Sequence, residues 1–299
     1  MARSDRVTLV EVGPRDGLQN ESAIVPTATK IELIQRLAAC GVADMEVASF
    51  VRPDLVPQMA DGVEVAAAVI GLPGLRSIAL TPNVRGLAAA AEAGISEVAV
   101  FGAASETFSQ RNLNCSIDVS LERFGAVAAE ATQRDMRVRG YVSTVMGCPY
   151  EGEIAESEVV RLVEAFFAMG CHEVSVADTI GVGTPGRTTA LFQALEHHVP
   201  LEHLSFHGHD TYGMGVANAL AALDVGVRSI DASIGGLGGC PFAGPRARGN
   251  VATEDVVYAV GGSPEFDLDL DLDRLVETSV WICDELGRPP ASSVTNALR

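Results

Sequence analysis

The chain has 299 residues, which is enough for one large α/β barrel or for two smaller domains. Its hydrophobic content of 47% and its mean hydropathy of +0.23 are typical of a globular protein with a large core. The formal net charge of −18 argues against general nucleic-acid binding, because phosphate backbones are recognised by basic surfaces.

Short β-rich apolar runs alternate along the chain with longer segments of helical periodicity. The eight predicted strands cover residues 7–12, 44–48, 77–80, 97–101, 138–142, 173–176, 204–207 and 229–233. The predicted helices between them cover residues 29–39, 84–93, 121–134, 156–169, 185–197 and 216–225. Several of these helices end in a glycine just before the next strand, which is typical of a helix C-cap followed by a short loop.

Eight strand–helix units in about 260 residues predict a (β/α)8 TIM barrel, whose usual length is about 250 residues. The competing architecture is a doubly wound open sheet. It is disfavoured because the first strand–helix turn reads GPRDGLQNE and not GxGxxG. After about residue 262 an acidic stretch leads into an amphipathic helix, LVETSVWICDELG. We therefore predict a single catalytic domain over residues 1–299, with the barrel at about 7–262 and an appended C-terminal helical extension at about 263–299.

The chain shows no export or membrane signal. No run of about 18 uncharged apolar residues occurs, so the sequence predicts no membrane span. The N-terminal MARSDRVTLVEV lacks the apolar core of a secretory signal. The six cysteines have no CxxC spacing and are expected to be free thiols in a reducing compartment. These features predict a cytoplasmic protein.

Polar residues gather at the predicted carboxyl ends of the strands, where a barrel of this type carries its active site. The segment HGHD places His207 and His209 two residues apart, so on a strand both imidazoles point to one side. The alternatives are a hydrogen-bonded pair in the core or a solvated loop. Oxygen donors from Asp16 and Asn250 would complete a mixed nitrogen and oxygen shell, which favours Mg²⁺ or Mn²⁺.

Two charged residues near this end need partners. Arg15 directly precedes Asp16, and in an extended turn their side chains are expected to diverge, one toward a metal and the other toward substrate. The alternative is a surface ion pair. Glu46 lies inside a predicted strand, where burial of an unpaired charge would be costly, so it either has a partner or is exposed at the strand end. A salt bridge to Arg15 is the simpler account, and it is compatible with a role in holding that arginine.

A glycine-rich loop, GGLGG, precedes Cys240. Such a loop allows close approach of backbone to a ligand, and a thiol there could serve as an acid or a base. The alternative is an inert thiol.

The chain resembles the 3-hydroxy-3-methylglutaryl-CoA lyase family from about residue 7 to residue 287, with the family's motifs in order. These include VEVGPRDGLQNE, LTPNVRGLAAAAEAG, VFGAASETFSQRNLNCSI, RGYVSTVMGCPYEG, DTIGVGTPG, HDTYGMGVANAL, GGLGGCPFA and GNVATEDVVY. The resemblance implies that the divalent cation is held by Asp16, His207, His209 and Asn250. It implies catalytic or substrate-polarising roles for Arg15, Glu46, Asp178 and Cys240.

The sequence departs from the family pattern in three places. Gly208 and Met214 replace a cysteine and a polar amide in the usual HCHDTYGQ. The loop CPFAGPRARGN is one residue longer than the family's and carries Arg246 and Arg248, which could hold the phosphates of coenzyme A. The alternative is that both arginines lie on the outer rim of the barrel and pair with nearby acidic side chains.

The resemblance implies cleavage of 3-hydroxy-3-methylglutaryl-CoA to acetoacetate and acetyl-CoA. An acyl-CoA substrate, a homo-oligomer (dimer or tetramer), and no nucleic-acid or membrane partner are expected with it. Three alternatives remain: the same cleavage of a longer 3-hydroxy-3-alkylglutaryl-CoA, an acyl-CoA condensing synthase of the same superfamily, and a non-catalytic barrel that binds coenzyme A.

Overall fold

The computed structural model describes residues 5–239 and 248–299. Eight parallel strands close into a barrel in chain order, with the last strand paired to the first. They are β2 (Thr8–Glu11), β3 (Asp44–Ser49), β4 (Arg76–Leu80), β5 (Glu97–Ala103), β6 (Arg137–Ser143), β7 (Glu173–Asp178), β8 (Leu204–Gly208) and β9 (Ser229–Ala232). The predicted TIM barrel and all eight of its strands are therefore confirmed.

Helices surround the barrel and connect its strands. The described helices are α1 (Thr27–Ala39), α2 (Gly62–Val69), α3 (Val84–Glu92), α4 (Glu106–Leu113), α5 (Ile117–Gln133), α6 (Glu156–Ala168), α7 (Pro185–Glu196), α8 (Gly215–Val225), α9 (Thr253–Gly261), α10 (Leu272–Glu285) and α11 (Ser293–Leu298). All six predicted inter-strand helices are present. Helices α2, α4, α9 and α11 were not predicted from periodicity.

The missed helices have weak sequence signals. In α2 the run VEV alternates with the period of a strand, and α4 is polar, so neither shows an apolar stripe of helical spacing. The N-cap of helix α4 is Ser105, whose hydroxyl accepts a hydrogen bond from Phe108 N at 3.0 Å. This extra helix follows β5 and brings Phe108 to the cavity at the carboxyl end of the barrel.

The barrel interior combines an apolar layer with buried charge. The apolar layer inside the barrel contains Val10, Ile78, Leu80 and Ala99. The fully buried side chain of Arg139 also lies in this core. The outward faces of the strands pack against the helices, as expected for a parallel sheet that is covered on its outer side.

The C-terminal segment packs on the barrel, as predicted. Helix α10 contacts α1, α9 and the turn after β9, and α11 contacts α9 and α10. A small parallel sheet, not predicted, pairs β1 (Asp5–Arg6) with β10 (Phe266–Asp267). Within residues 5–239 and 248–299, no helix has the length and apolar character needed to cross a membrane.

Candidate active site

A cavity lies at the carboxyl end of the barrel, where the loops after the strands converge. The side chains that line it are those of Arg15, Asp16, Gln19, Asn20, Leu80, Phe101, Phe108, Asn112, Tyr141, Ser143, Ala177, Thr179, His207 and His209, together with Gly239. Five of the eight barrel strands contribute to this lining directly. The cavity is polar near the histidines and apolar near Leu80 and Phe101, an arrangement that suits a ligand with both charged and alkyl parts.

The turn after β2 carries Arg15 and Asp16 and has an unexpected conformation. Residues Gly13–Gly17 form a single π-helical turn and not an extended one. As a result, Arg15 Nη1 lies 2.8 Å from Asp16 Oδ1, and the predicted divergence of the two side chains is wrong. Both side chains line the same cavity, so the turn delivers a cation and a carboxylate side by side. Such turns are frequent at functional sites.

Asp16, His207 and His209 come together as a candidate metal site. Each offers one ligand atom, and these atoms lie within 4.8 Å of one another. His207 belongs to β8, and His209 follows it and forms a backbone bridge with Asn250. Burial and the neighbouring His207 lower the pKa of His209 to about 4, so its imidazole is neutral near pH 7 and its lone pair can bind a metal.

Asn250 stands beside this group. Its Nδ2 donates to Asp16 Oδ2 at 2.8 Å and to the Leu237 carbonyl at 3.1 Å. Asn250 Oδ1 and His209 Nδ1 are buried, and neither has a hydrogen-bond partner among the described residues. Buried polar atoms are usually satisfied. An amide oxygen and an imidazole nitrogen without hydrogen-bond partners, next to a carboxylate and a second imidazole, could offer lone pairs to a divalent cation bound by nitrogen and oxygen.

Asp231 anchors His207 from inside the barrel, and the sequence did not predict it. Asp231 Oδ2 lies 3.2 Å from His207 Nδ1. Its other contacts come from Arg139 Nη2 at 2.7 Å, Ser205 Oγ at 3.0 Å and Ser175 Oγ at 2.8 Å. Burial alone would raise the pKa of Asp231, but the Arg139 guanidinium and the His207 ring hold it well below its ordinary value. The carboxylate is therefore ionised and fully hydrogen-bonded.

Glu46 forms the salt bridge to Arg15 that was the simpler account of its position. Arg15 Nε donates to Glu46 Oε2 at 2.7 Å, and a second guanidinium nitrogen contacts the same oxygen. Glu46 is fully buried and does not line the cavity, whereas Arg15 does. The carboxylates of Glu46 and Asp16 raise the pKa of Arg15 against the effect of burial, so the guanidinium stays charged.

Asp178 is not brought to the cavity. Its carboxylate accepts hydrogen bonds from Val182 N at 3.1 Å and from Gly183 N at 2.7 Å, which closes the turn after β7. Its chain neighbours Ala177 and Thr179 line the cavity instead. Residues along a strand alternate in direction, so Asp178 points to the side opposite Ala177. Asp178 therefore does not line the cavity in this structure.

The glycine-rich loop is only partly described. Cys240 and Arg246 lie outside the described residues. Arg248 is exposed, is absent from the cavity lining, and interacts through its backbone with the His209 ring. The five described cysteines are free and buried, which agrees with the prediction of free thiols.

Glu11 is a further buried carboxylate at the end of β2, and the sequence predicted no role for it. Its Oε1 accepts hydrogen bonds from Gly13 N at 2.8 Å and Ile234 N at 3.0 Å, and its Oε2 accepts one from Thr253 Oγ1 at 2.6 Å. These partners begin the turn with Asp16, the glycine-rich loop and the helix after Asn250. Glu11 thus joins three segments that carry candidate site residues.

Comparison with known proteins identifies the family of the chain. A sequence profile of the HMGL-like family matches residues 6–282. The chain is 50% identical over 292 residues to the mitochondrial hydroxymethylglutaryl-CoA lyase of Gallus gallus, covering 98% of this chain and 97% of that protein.

Solved structures give the same result. The crystal structure of hydroxymethylglutaryl-CoA lyase from Pseudomonas aeruginosa matches with a TM-score of 0.95 at 49% identity, over 100% of this chain and 99% of its own. An HMG-CoA lyase from Acinetobacter baumannii, in complex with coenzyme A and 3-methylmalate, matches with a TM-score of 0.92 at 37% identity, over 100% of this chain and 97% of its own. With its barrel, its candidate metal site and these relatives, the chain belongs to the hydroxymethylglutaryl-CoA lyase family.

Proposed function

We propose that this enzyme cleaves 3-hydroxy-3-methylglutaryl-CoA to acetoacetate and acetyl-CoA. The observation that carries the proposal is the meeting of Arg15 with Asp16, His207 and His209 in one cavity at the carboxyl end of the barrel. The identity of 48–50% over 98% of this chain to hydroxymethylglutaryl-CoA lyases supports it. The bound coenzyme A and 3-methylmalate in the Acinetobacter relative support a coenzyme A thioester of a short branched diacid as the substrate.

The reaction needs three changes at the substrate. The C3 hydroxyl loses its proton to a base, and its oxygen becomes the ketone of acetoacetate. The C2–C3 bond breaks, and its electron pair passes to the thioester as an enolate. A proton then adds to C2 to give the methyl group of acetyl-CoA. Catalysis therefore requires stabilisation of the enolate and a proton donor near C2.

The proposed metal site would orient the substrate and place positive charge beside its oxygen atoms. Asp16, His207, His209 and Asn250 would hold Mg²⁺ or Mn²⁺, which when bound acts as a Lewis acid and a template for oxygen ligands. Asp16 is suited to this role because Arg15 and the two histidines lower its pKa against the effect of burial. Asp231 contacts His207 at Nδ1 and so orients the ring, and the Asn250 amide donates to one oxygen of Asp16.

Arg15 is the proposed stabiliser of the enolate. Its guanidinium lines the cavity and is held by Glu46 below and by Asp16 at its side. A fixed cation in a site that excludes water lowers the energy of a transition state in which negative charge develops on the thioester oxygen. Glu46 acts as a positioning residue in this account, because it touches Arg15 and does not line the cavity.

Cys240 is the proposed proton donor to C2, on the strength of its place in the family motif. The glycine-rich loop that leads to it begins beside the cavity, since Gly239 lines the cavity and its carbonyl accepts a hydrogen bond from Asn20 Nδ2 at 2.8 Å. Arg246 and Arg248 on the same loop are proposed to contact the phosphates of coenzyme A. Asp178 is proposed to act indirectly, by shaping the turn that presents Thr179 to the cavity.

The whole chain is proposed to act as one catalytic domain, within a homo-oligomer, in the cytoplasm. Its curated relatives in animals are mitochondrial enzymes by name. Cell fractionation and light scattering of the purified protein test the compartment and the assembly directly.

The substrate assignment is tested by steady-state kinetics with two thioesters. Purified enzyme with Mn²⁺ is offered 3-hydroxy-3-methylglutaryl-CoA and a homologue with a longer 3-alkyl group. We expect the higher kcat/KM for the methyl compound, because Phe101 and Phe108 limit the apolar side of the cavity. A higher kcat/KM for the longer homologue would reassign the substrate, and net condensation of acyl-CoA substrates would reassign the enzyme to the synthases.

A further inference from the structure

Asp231 lies beneath the candidate metal site and does not touch the cavity. It sits in β9 directly opposite His207 of β8 in the strand register. Its side chain is fully buried, and its relation to the reaction can only be through other residues. The question is what a buried carboxylate at this position imposes on the imidazole it contacts.

The contacts of Asp231 determine which atom carries the hydrogen between Asp231 Oδ2 and His207 Nδ1. Arg139 Nη2 and Ser205 Oγ donate to Oδ1 at 2.7 and 3.0 Å, Ser175 Oγ donates to Oδ2 at 2.8 Å, and Arg139 Nη1 lies 3.3 Å from Oδ2. Both carboxylate oxygens therefore act as acceptors, paired with a guanidinium and two hydroxyl groups. His207 Nδ1, at 3.2 Å from Oδ2, must therefore carry the hydrogen. In a neutral imidazole the other nitrogen, Nε2, then holds the lone pair.

We propose that Asp231 is a positioning residue that holds His207 in the tautomer with hydrogen on Nδ1, so that Nε2 is the nitrogen offered to the metal. The inference rests on the metal site of the proposed function. It adds a residue of strand β9 to a site built from the turn after β2, the segment around β8 and Asn250. It also explains why Arg139, Ser175 and Ser205 are buried around a single carboxylate, because their hydrogen bonds fix the orientation of its two oxygens.

Asp231→Asn separates this role from simple packing. The amide has the shape of the carboxylate, and its oxygen can still accept from Arg139 and Ser205 on the Oδ1 side. Its NH₂ group then faces His207 Nδ1 and favours the other tautomer, in which Nε2 carries hydrogen and cannot bind a metal. Removal of an outer partner of a metal-bound histidine typically costs about 10–100-fold in metal affinity.

Ser205→Ala is the matched control. Ser205 Oγ donates to Asp231 Oδ1 at 3.0 Å, so its loss removes one hydrogen bond from the same carboxylate and leaves the His207 contact on Oδ2 untouched. If Asp231 acts only as a packing element, the two variants should weaken Mn²⁺ binding to a similar extent.

The experiment combines Mn²⁺ titration, followed by electron paramagnetic resonance, with ¹⁵N NMR of the histidine side chains in metal-free protein. We expect wild type to show the neutral His207 ring with hydrogen on Nδ1, and Asp231→Asn to bind Mn²⁺ about 10–100-fold more weakly. Ser205→Ala should lose much less Mn²⁺ affinity, and its His207 should keep hydrogen on Nδ1. The NMR spectra are recorded at a pH high enough for the His207 ring to be neutral. A neutral ring with hydrogen on Nε2 and none on Nδ1 in wild type would overturn the inference even if the Asp231→Asn variant does not fold. Unchanged Mn²⁺ affinity in a folded Asp231→Asn protein would overturn it as well. Failure of wild type to bind Mn²⁺ would count against the metal site of the proposed function, while the NMR result would still decide the tautomer.

Discussion

Arg15 and Glu46 form a buried ion pair in which Arg15 Nε lies 2.7 Å from Glu46 Oε2. Only Arg15 reaches the cavity, so Glu46 holds the guanidinium in place for substrate. This arrangement makes Arg15 a fixed charge whose orientation is set before substrate arrives. Preorganised charge of this kind acts mainly on the transition state.

Arg15→Met is therefore expected to lower kcat by about 10²–10³-fold with little change in KM. Steady-state kinetics with 3-hydroxy-3-methylglutaryl-CoA measures both constants. Arg134→Met is the control, because Arg134 is an exposed arginine at the end of α5, paired with Glu130 and remote from the cavity. A raised KM with kcat retained would make Arg15 a binding residue and contradict its proposed role.

Glu11 is expected to limit stability at alkaline pH. Burial raises the pKa of Glu11 from 4.5 to about 7, although three hydrogen bonds oppose the shift. A carboxyl whose pKa is raised on folding contributes stability that is present below pH 4.5 and is lost as pH rises through 7. The loss amounts to roughly 3 kcal/mol by the usual conversion of a pKa shift.

Glu11→Gln tests this expectation, because the amide oxygen can accept from Gly13 N and Ile234 N while its NH₂ group donates to Thr253 Oγ1. Urea unfolding at pH 5 and pH 8 should show the variant gaining stability relative to wild type as pH rises. Glu11→Leu, which removes all three bonds, should be less stable than wild type at pH 5. A difference between Gln and wild type that does not vary with pH would refute the ionisation argument.

Gly208 and Phe206 are expected to depend on each other. A β-carbon at Gly208 would lie 2.6 Å from the Phe206 ring, and Phe206 is fully buried. The family pattern has cysteine at position 208. In this chain the ring of Phe206 occupies the space that a side chain at position 208 would need. Gly208→Ala should destabilise the fold by about 1–3 kcal/mol through overpacking.

The double variant Gly208→Ala with Phe206→Val should be less destabilised than the sum of the two single changes, because the smaller side chain makes room for the added methyl group. Urea unfolding of the four proteins in this cycle measures the coupling. Additive free energies would show that the two positions do not compete for space.

The two arginines of the glycine-rich loop are expected to bind coenzyme A phosphates. Arg246→Ala combined with Arg248→Ala should raise the KM for the thioester at low salt, and the increase should shrink as salt screens the contact in wild type. Arg274→Ala is the control, since this exposed arginine contacts the Ala39 carbonyl at the end of α1, away from the cavity. An unchanged KM at low salt would show that neither loop arginine contacts the thioester and that both are surface residues without a role in binding.

Much of the fold and of the candidate metal site could be predicted because the signals are local. Glycines after helices and apolar runs of strand length mark each strand–helix unit, and the spacing of His207 and His209 places both rings on one side of a strand. The conformation of the turn at Arg15 and Asp16 could not be predicted, because a π-helical turn has no periodic signal.

The roles of Asp231 and Glu11 were missed for a different reason. Each is a single charged residue in a short buried strand, and its partners come from distant parts of the chain. A charge at such a position signals that a partner exists, but it does not identify that partner. Asp178 was misjudged in the opposite direction. As a carboxylate at a strand end it was expected at the active site, but it accepts hydrogen bonds within the turn after β7.

The central claim is that Asp16, His207, His209 and Asn250 hold a divalent cation required for cleavage. The most direct test removes metal from the purified enzyme with EDTA, restores Mn²⁺ or Mg²⁺, and measures acetoacetate and acetyl-CoA released from 3-hydroxy-3-methylglutaryl-CoA, in parallel with Asp16→Ala. We predict equal amounts of the two products from wild type, loss of both on metal removal, recovery on restoration, and no recovery in the variant. Undiminished product formation by metal-free wild type, or by Asp16→Ala, would contradict the account.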